Sequence, residues 1–318
     1  MPALDAVSLN PYLRDDLSLV TKSGYDSQTR TLAVFVDEKY SSLKTNPSKA
    51  EAEAALFRLI KLLDGFEFKH DYDKACALAA FITAVLRPRL RTAPLILLVA
   101  YMAGSGKSYL ASLIAAFATP GNVPMSNWFA NDEECQKALL AMLMTTPGVI
   151  HLDNLVDDIQ PYQALCTATT EPVISGRLLG HSKIVNALTN VLILLSGNNI
   201  QPTEDMIRRI LWAVLEPESA NPESREFDFD PLAEVRANRE HYVSDVLTIV
   251  CAWIHAGKPR LSKKPIGSFQ QWSDLCREPL LWLGQSDPAQ RMLNSLADNP
   301  GRTVLSTCLL YTSDAADE

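Results

Sequence analysis

The spacing of apolar positions divides the chain into regions of different character. Residues 1–48 read as loops with one short hairpin: Gly24, Tyr25, Asp26, Ser27 and Gln28 supply turn residues, and the run 31–36 is β-branched and aromatic, as a strand prefers. Residues 49–92 switch to helical spacing, with Ala55, Leu56, Leu59, Ile60, Leu62 and Leu63 forming one stripe behind a capping Ser48. A second helix opens at Asp71 and ends near Pro88. From 93 to 225, short apolar runs at 95–100, 149–152, 191–195 and 210–215 alternate with helical stretches at 108–118 and 137–144. Buried strands alternating with crossover helices predict an α/β fold: a parallel sheet covered on both faces. Residues 226–304 read as helical. Leu232, Val235, Val243, Val246, Leu247 and Val250 share a face over 232–255, and 269–283 carries Trp272, Leu281 and Trp282 as anchors. The acidic, proline-bearing stretch 216–224 reads as the linker between these last two regions.

Composition narrows the picture. The 318 residues are 47% apolar and 21% charged, in the range of an ordinary globular protein. The net charge of −8 rules out a globally basic surface, so any nucleic-acid contact must come from local basic loops. Cys76, Cys135, Cys166, Cys251, Cys276 and Cys308 are too scattered for a zinc site or a disulfide framework, which points to reduced thiols and a cytoplasmic location. The longest apolar run, 94–103, is too short to span a bilayer, and the acidic start with Asp5, Asp15 and Asp16 does not read as a signal peptide. Residues 305–318 read as translated adapter sequence, so the natural chain is expected to continue past about residue 304.

The chemistry concentrates in the α/β stretch. A buried strand runs into Gly104, Ser105, Gly106, Lys107 and Ser108, and these run into an apolar helix. That strand–loop–helix order is the context of a phosphate-binding loop. The glycines let backbone amides curl around phosphate oxygens, and the helix adds its positive end. Lys107 supplies a point charge for the phosphates, and Ser108 a hydroxyl for Mg²⁺. Tyr101 stands where the full pattern has glycine, six residues before the lysine.

An ATPase of this kind needs a carboxylate at the end of a neighbouring buried strand, and Asp153 ends the apolar run from Val149. Asn154 follows, where many such enzymes carry a glutamate; an amide orients water but cannot take its proton. Asp157 and Asp158 are nearby carboxylates that could assist. A further strand ends in Ser196, Gly197, Asn198 and Asn199, which puts the Asn198 amide at the sheet rim where ligands of open α/β sheets lie. Arg208 and Arg209 precede the last strand; an arginine offered to a neighbouring subunit's nucleotide would stabilise charge on a transferred phosphoryl group.

Taken in this order, the motifs resemble the ATPase domain of superfamily 3-like AAA+ helicases of phage, plasmid and integrative-element primase–helicase proteins. The likeness extends to Pro222, Glu223, Ser224 and Arg225, to Gly267, Ser268, Phe269, Gln270, Gln271 and Trp272, and to Trp282. The resemblance implies a P-loop AAA+ core at 93–225, preceded by the extension 1–48 and the lead-in 49–92, and followed by helices at 226–304. It implies ATP and Mg²⁺ at the interfaces of a homo-hexameric ring, with single-stranded DNA or a fork through the centre and a possible primase domain or partner. Carried over, Lys107 and Ser108 match the phosphate loop, Asp153 the metal-associated acid, Asn198 the strand-end polar sensor, and Arg208 or Arg209 the trans-acting arginine. Tyr101 and Asn154 depart from the family's pattern.

A strand, turn and strand over 173–185 present Arg177, His181 and Lys183, and a hairpin at this position in similar helicases faces the pore. Repeated around a ring, those cations would concentrate a field that the net charge hides. Two other readings stay open: a non-motor ATP-binding scaffold or loader with weak hydrolysis, and a small-molecule P-loop kinase. The helical tail and the arginine pair fit a ring better than a lid over a small substrate.

Overall fold

The computed structural model describes residues 4–102, 104–145, 148–177, 184–218 and 229–298. The chain begins with five short strands: β1 (Ala6–Ser8), β2 (Tyr12–Leu13), β3 (Leu19–Val20), β4 (Gly24–Asp26) and β5 (Thr31–Ala33). β4 and β5 make the expected hairpin, β1 adds in parallel on the other side of β5, and β2 pairs with β3. The Asp26 carboxylate ties the two small sheets together, accepting from Arg14 Nε at 2.8 Å, Tyr12 at 2.9 Å and Thr29 at 3.0 Å. The strand expected over 31–36 stops at Ala33, and Val34 and Val36 project into solvent.

Helix α1 (Lys49–Lys61) starts with a capping box: the Ser48 hydroxyl accepts from the Glu51 amide, and Glu51 reaches back to the Ser48 amide. Helix α2 (Asp71–Leu86) is buried on almost every side, because it packs against α3, α7 and the strand β12 described below. The central segment then runs β6 (Leu95–Ala100), α3 (Lys107–Ala118), β7 (Met125–Asn127), α4 (Asp132–Thr145), β8 (Val149–Leu155), α5 (Gln163–Thr170), β9 (Val173–Arg177), β10 (Ile184–Leu188), β11 (Leu192–Asn198) and β12 (Ile210–Leu215). Five of these strands form one parallel sheet in the order β12–β6–β11–β8–β7. The strands β6, β11 and β12 are apolar and buried along nearly their whole length, as a doubly covered sheet requires. Helices flank the sheet, with α3 lying against β6, β8 and β11. β9 and β10 form a separate antiparallel hairpin packed on α4 and α5.

The C-terminal helices are α6 (Pro231–Ala237), α7 (Arg239–His255), α8 (Gln270–Trp272), α9 (Glu278–Trp282) and α10 (Gln290–Ala297), with a π turn over Ser273–Arg277 joining α8 to α9. The single helix expected over 232–255 is interrupted at Asn238, which leaves helical geometry at φ −123° and ψ 34°. The break lets each half meet α3 separately. At the start of α3, the Tyr109 hydroxyl donates to Asp230, the N-cap of α6, and accepts from the Leu232 amide at 3.1 Å. At its end, Arg239 of α7 donates to the carbonyls of Ala116 at 2.7 Å and Phe117 at 2.8 Å. One apolar core continues from Leu13 through the sheet to Met292. No helix among the described residues is long and apolar enough to cross a membrane.

Candidate phosphate-binding site

Strand β6 ends at Ala100, and the loop that follows turns at Gly104 (φ 73°) and Gly106 (φ 84°) before α3 begins at Lys107. Both angles lie in the left-handed region that side chains avoid, so the glycines are required by backbone conformation. At Gly106 there is room: an added Cβ would meet only Phe66, at 3.5 Å. Helix α3 has no side-chain cap, so its first amides are left to the loop mouth. Lys107 is 8% exposed, and among the described residues its ammonium makes a single contact, 3.5 Å to the Met102 carbonyl. Burial lowers its pKa, with the Asp153 charge pulling the other way. An uncapped helix start beside an under-satisfied buried cation is a setting that suits an anion. Tyr101 leaves the strand without a left-handed residue and turns outward, with the Lys69 ammonium 5.0 Å from its ring centre.

The acidic strand end lies one strand away, since β11 separates β6 from β8. The Ser108 hydroxyl donates to Asp153 Oδ2 at 2.9 Å, and the Ser196 hydroxyl donates to Oδ1. His151 Nε2 is 2.8 Å from the same Ser196 oxygen. Burial alone would raise the Asp153 carboxyl, but the hydrogen bonds from Ser196, the Asn154 amide and Ser108 outweigh it and hold it below the ordinary carboxylate range. His151 is kept below its ordinary value by burial, against the attraction of Asp153. Because the Ser108 proton points at Asp153, the lone pairs of its oxygen are free for a cation. The described residues contain no cluster of three or more His, Cys, Asp or Glu side chains able to cage a metal by themselves. A hard cation sharing Ser108 and Asp153 with phosphate oxygens and water is the arrangement Mg²⁺ favours.

Asp153 and Asn154 sit in a β-bulge: Leu195 pairs with Leu152, and two residues on Gly197 pairs with Leu155, three residues on. The extra residue is taken up by Asn154, at φ 58° and exposed. Gly197 makes the bulge possible, because a Cβ there would come within 2.5 Å of the Leu155 carbonyl. Asn198 is exposed at the end of β11, level with Ala100, and the Asn199 amide donates to the Ala100 carbonyl at 3.1 Å. Asn154 and Asn198 therefore lie at the same carboxyl rim as the glycine loop. Asp158 is already engaged by the Gln201 amide at 2.9 Å.

The arginine pair lies elsewhere. β12 runs parallel to β6 with Ile210 level with Leu95, so Arg208 and Arg209 are at the amino edge, a strand length from the loop of their own chain. Arg209 is the buried member of the pair. It is 8% exposed and its guanidinium is spent within the fold, on Asp205 at 2.7 Å, the Cys166 carbonyl at 3.1 Å and Thr169 at 3.1 Å. Arg208 is the exposed member, bonded among the described residues to Asp205. Arg177 ends β9 and is exposed, whereas His181 and Lys183 lie outside the described residues.

Sequence reasoning passed over His151 and Ser196. Their signal was the alternation of a strand: His151 and Asp153 are two apart and share a face, and Ser196 is the first polar residue of the neighbouring β11.

No family model matches the chain, and no curated protein does. A solved structure that resembles it is the apo form of the C-terminal region, residues 305–718, of NrS-1: 13% identity, TM-score 0.37, covering 68% of this chain. The match takes in 49% of that structure, so the chain corresponds to about half its length.

Proposed function

We propose that the chain is a P-loop ATPase of the AAA+ kind, the motor part of a helicase or translocase in phage or mobile-element replication. The observation that carries this reading is the Ser108–Asp153 hydrogen bond at 2.9 Å beside the buried Lys107, at the carboxyl rim of a parallel sheet. Strand order supports it: the polar end of β11, with Ser196 and Asn198, lies between the loop strand and the acid strand.

In this reading the amides of the loop and the start of α3, with the Lys107 ammonium, hold a triphosphate. Ser108 and Asp153 hold Mg²⁺, which when bound neutralises charge on the phosphate oxygens. Asn198 and Asn154 orient a water molecule by hydrogen bonding, and neither can accept its proton. Arg208, exposed at the opposite edge, is the arginine available to a neighbouring copy in a ring. Arg177, with His181 and Lys183, meets single-stranded DNA. A second reading, a non-motor ATP-binding scaffold, is favoured by one observation: Asn154, whose amide cannot accept a proton, is the residue beside Asp153 in the bulge.

ATP turnover measured with and without single-stranded DNA separates the two. The motor reading expects DNA-stimulated hydrolysis that Lys107→Ala abolishes. Nucleotide binding without stimulated turnover would favour the scaffold, and full ATPase activity in Lys107→Ala would refute both.

A further inference from the structure

We propose that Ser196, steered by His151, is a positioning residue that fixes the Asp153 carboxylate with one oxygen occupied and the other turned to Ser108 and the metal position. The inference rests on the phosphate-site reading above and adds to it a buried polar chain that the phosphate loop does not itself require.

The direction of the chain follows from counting protons. A serine hydroxyl has one proton to give and lone pairs to accept with. Ser196 gives its proton to Asp153 Oδ1, because an ionised carboxylate can only accept. The 2.8 Å contact between His151 Nε2 and Ser196 Oγ must then be donated by the imidazole, which sets the Nε2–H tautomer. The order is His151 to Ser196 to Asp153, with Ser108 donating to the second carboxylate oxygen at 2.9 Å.

Its burial argues for a purpose. Ser196 is fully buried, His151 is 3% exposed and Asp153 7% exposed. The strand β11 is otherwise apolar up to this serine, so alanine would fit the local pattern, yet the position carries a hydroxyl whose partners among the described residues are these two side chains. At the bulge, Asp153 keeps its register with Asn127 of β7 but has no paired residue on the β11 side, where the phosphate loop lies beyond. A hydrogen bond to the rear oxygen restores a single orientation. Partners behind a metal-binding carboxylate act this way, and removing one commonly weakens metal binding about tenfold to a hundredfold.

The test uses the full chain and a fluorescent ATP analogue titrated with and without MgCl₂. Ser196→Ala is expected to raise the Mg²⁺ concentration for half-maximal enhancement of nucleotide binding by roughly tenfold or more, with metal-free binding unchanged. His151→Ala is expected to move the same way, and His151→Gln, which keeps an N–H donor, to recover most of the loss. A purely structural role would not be rescued by glutamine and would lower metal-free binding in parallel. An unchanged Mg²⁺ response in Ser196→Ala, beside a wild-type chain that responds, overturns this inference alone. A wild-type chain that binds no nucleotide overturns the phosphate-site reading and this inference with it.

Discussion

Arg209 offers a sharp test, because two readings of the same side chain predict opposite behaviour. An arginine that serves only a neighbour's nucleotide can be removed with little effect on the isolated fold. The observed Arg209 instead closes the end of α5, donating to the Cys166 carbonyl and to Thr169, and pairs with Asp205 at 2.7 Å. Removing one partner of a fully buried ion pair costs about 3–5 kcal/mol. The Asp205 side chain is 39% exposed, so water recovers part of that loss. Asp205 also keeps its bond from Arg208, so about 2 kcal/mol should remain, chiefly from the Cys166 carbonyl and the Thr169 hydroxyl left without the guanidinium. For a chain this size that is a fall in Tm of roughly 3 °C. Arg208→Ala, at an exposed position, should stay within about 0.5 kcal/mol of wild type. Urea unfolding and a thermal melt of both variants, alongside DNA-stimulated ATP turnover, give the comparison. Arg209→Ala unfolding at the wild-type midpoint would show that these bonds contribute nothing and would refute the structural assignment. If Arg208 is the trans-acting residue, Arg208→Ala loses stimulated turnover while keeping nucleotide binding.

Gly197→Ala forces a Cβ to within 2.5 Å of the Leu155 carbonyl and of Ile200 Cδ1, so it should destabilise by about 1–3 kcal/mol and also disturb Asp153; chemical denaturation with unchanged stability would contradict the bulge. Burial alone would raise the Asp26 carboxyl, but the bonds from Arg14, Tyr12, Thr29 and the Gln28 amide outweigh it and hold its pKa at about 2. A pKa depressed on folding stabilises the fold above the unfolded value, near 3.8, and that stabilisation is lost as the pH falls through about 2. Asp26→Asn should therefore be less stable at neutral pH and show a flatter loss of stability between about pH 4 and 2, read from urea midpoints across that range; an unchanged slope would count against the carboxylate.

The parts of this molecule that sequence disclosed are those governed by local rules. Ser48 and Glu51 announced the start of α1, and the apolar runs of β6, β11 and β12 announced a covered parallel sheet. Gly104 and Gly106 announced a loop whose φ values only glycine tolerates well. What stayed hidden depends on contacts distant in sequence. β7 is three residues, Met125–Asn127, none of them buried and with no apolar pattern, and it exists because β8 offers an edge to pair with. The break at Asn238 cannot be read from a helical stripe that continues through it; it is set by α3, which takes Asp230 and Arg239 at opposite ends. Arg208 and Arg209 are neighbours of the same chemistry, and only the tertiary position of α5 decides which one is buried. The link from His151 through Ser196 to Asp153 joins residues more than forty positions apart, with |i−j| of 45 and 43.

The helix that leaves the glycine loop is clasped at both tips by the C-terminal helices: by α6 through Tyr109 and by α7 through Arg239. It behaves as a connecting rod. A displacement of α3 along its axis either drags α6 and α7 with it or breaks a hydrogen bond at one tip. A push on the start of α3 thus has a mechanical route to α6 and α7 that does not pass through the sheet.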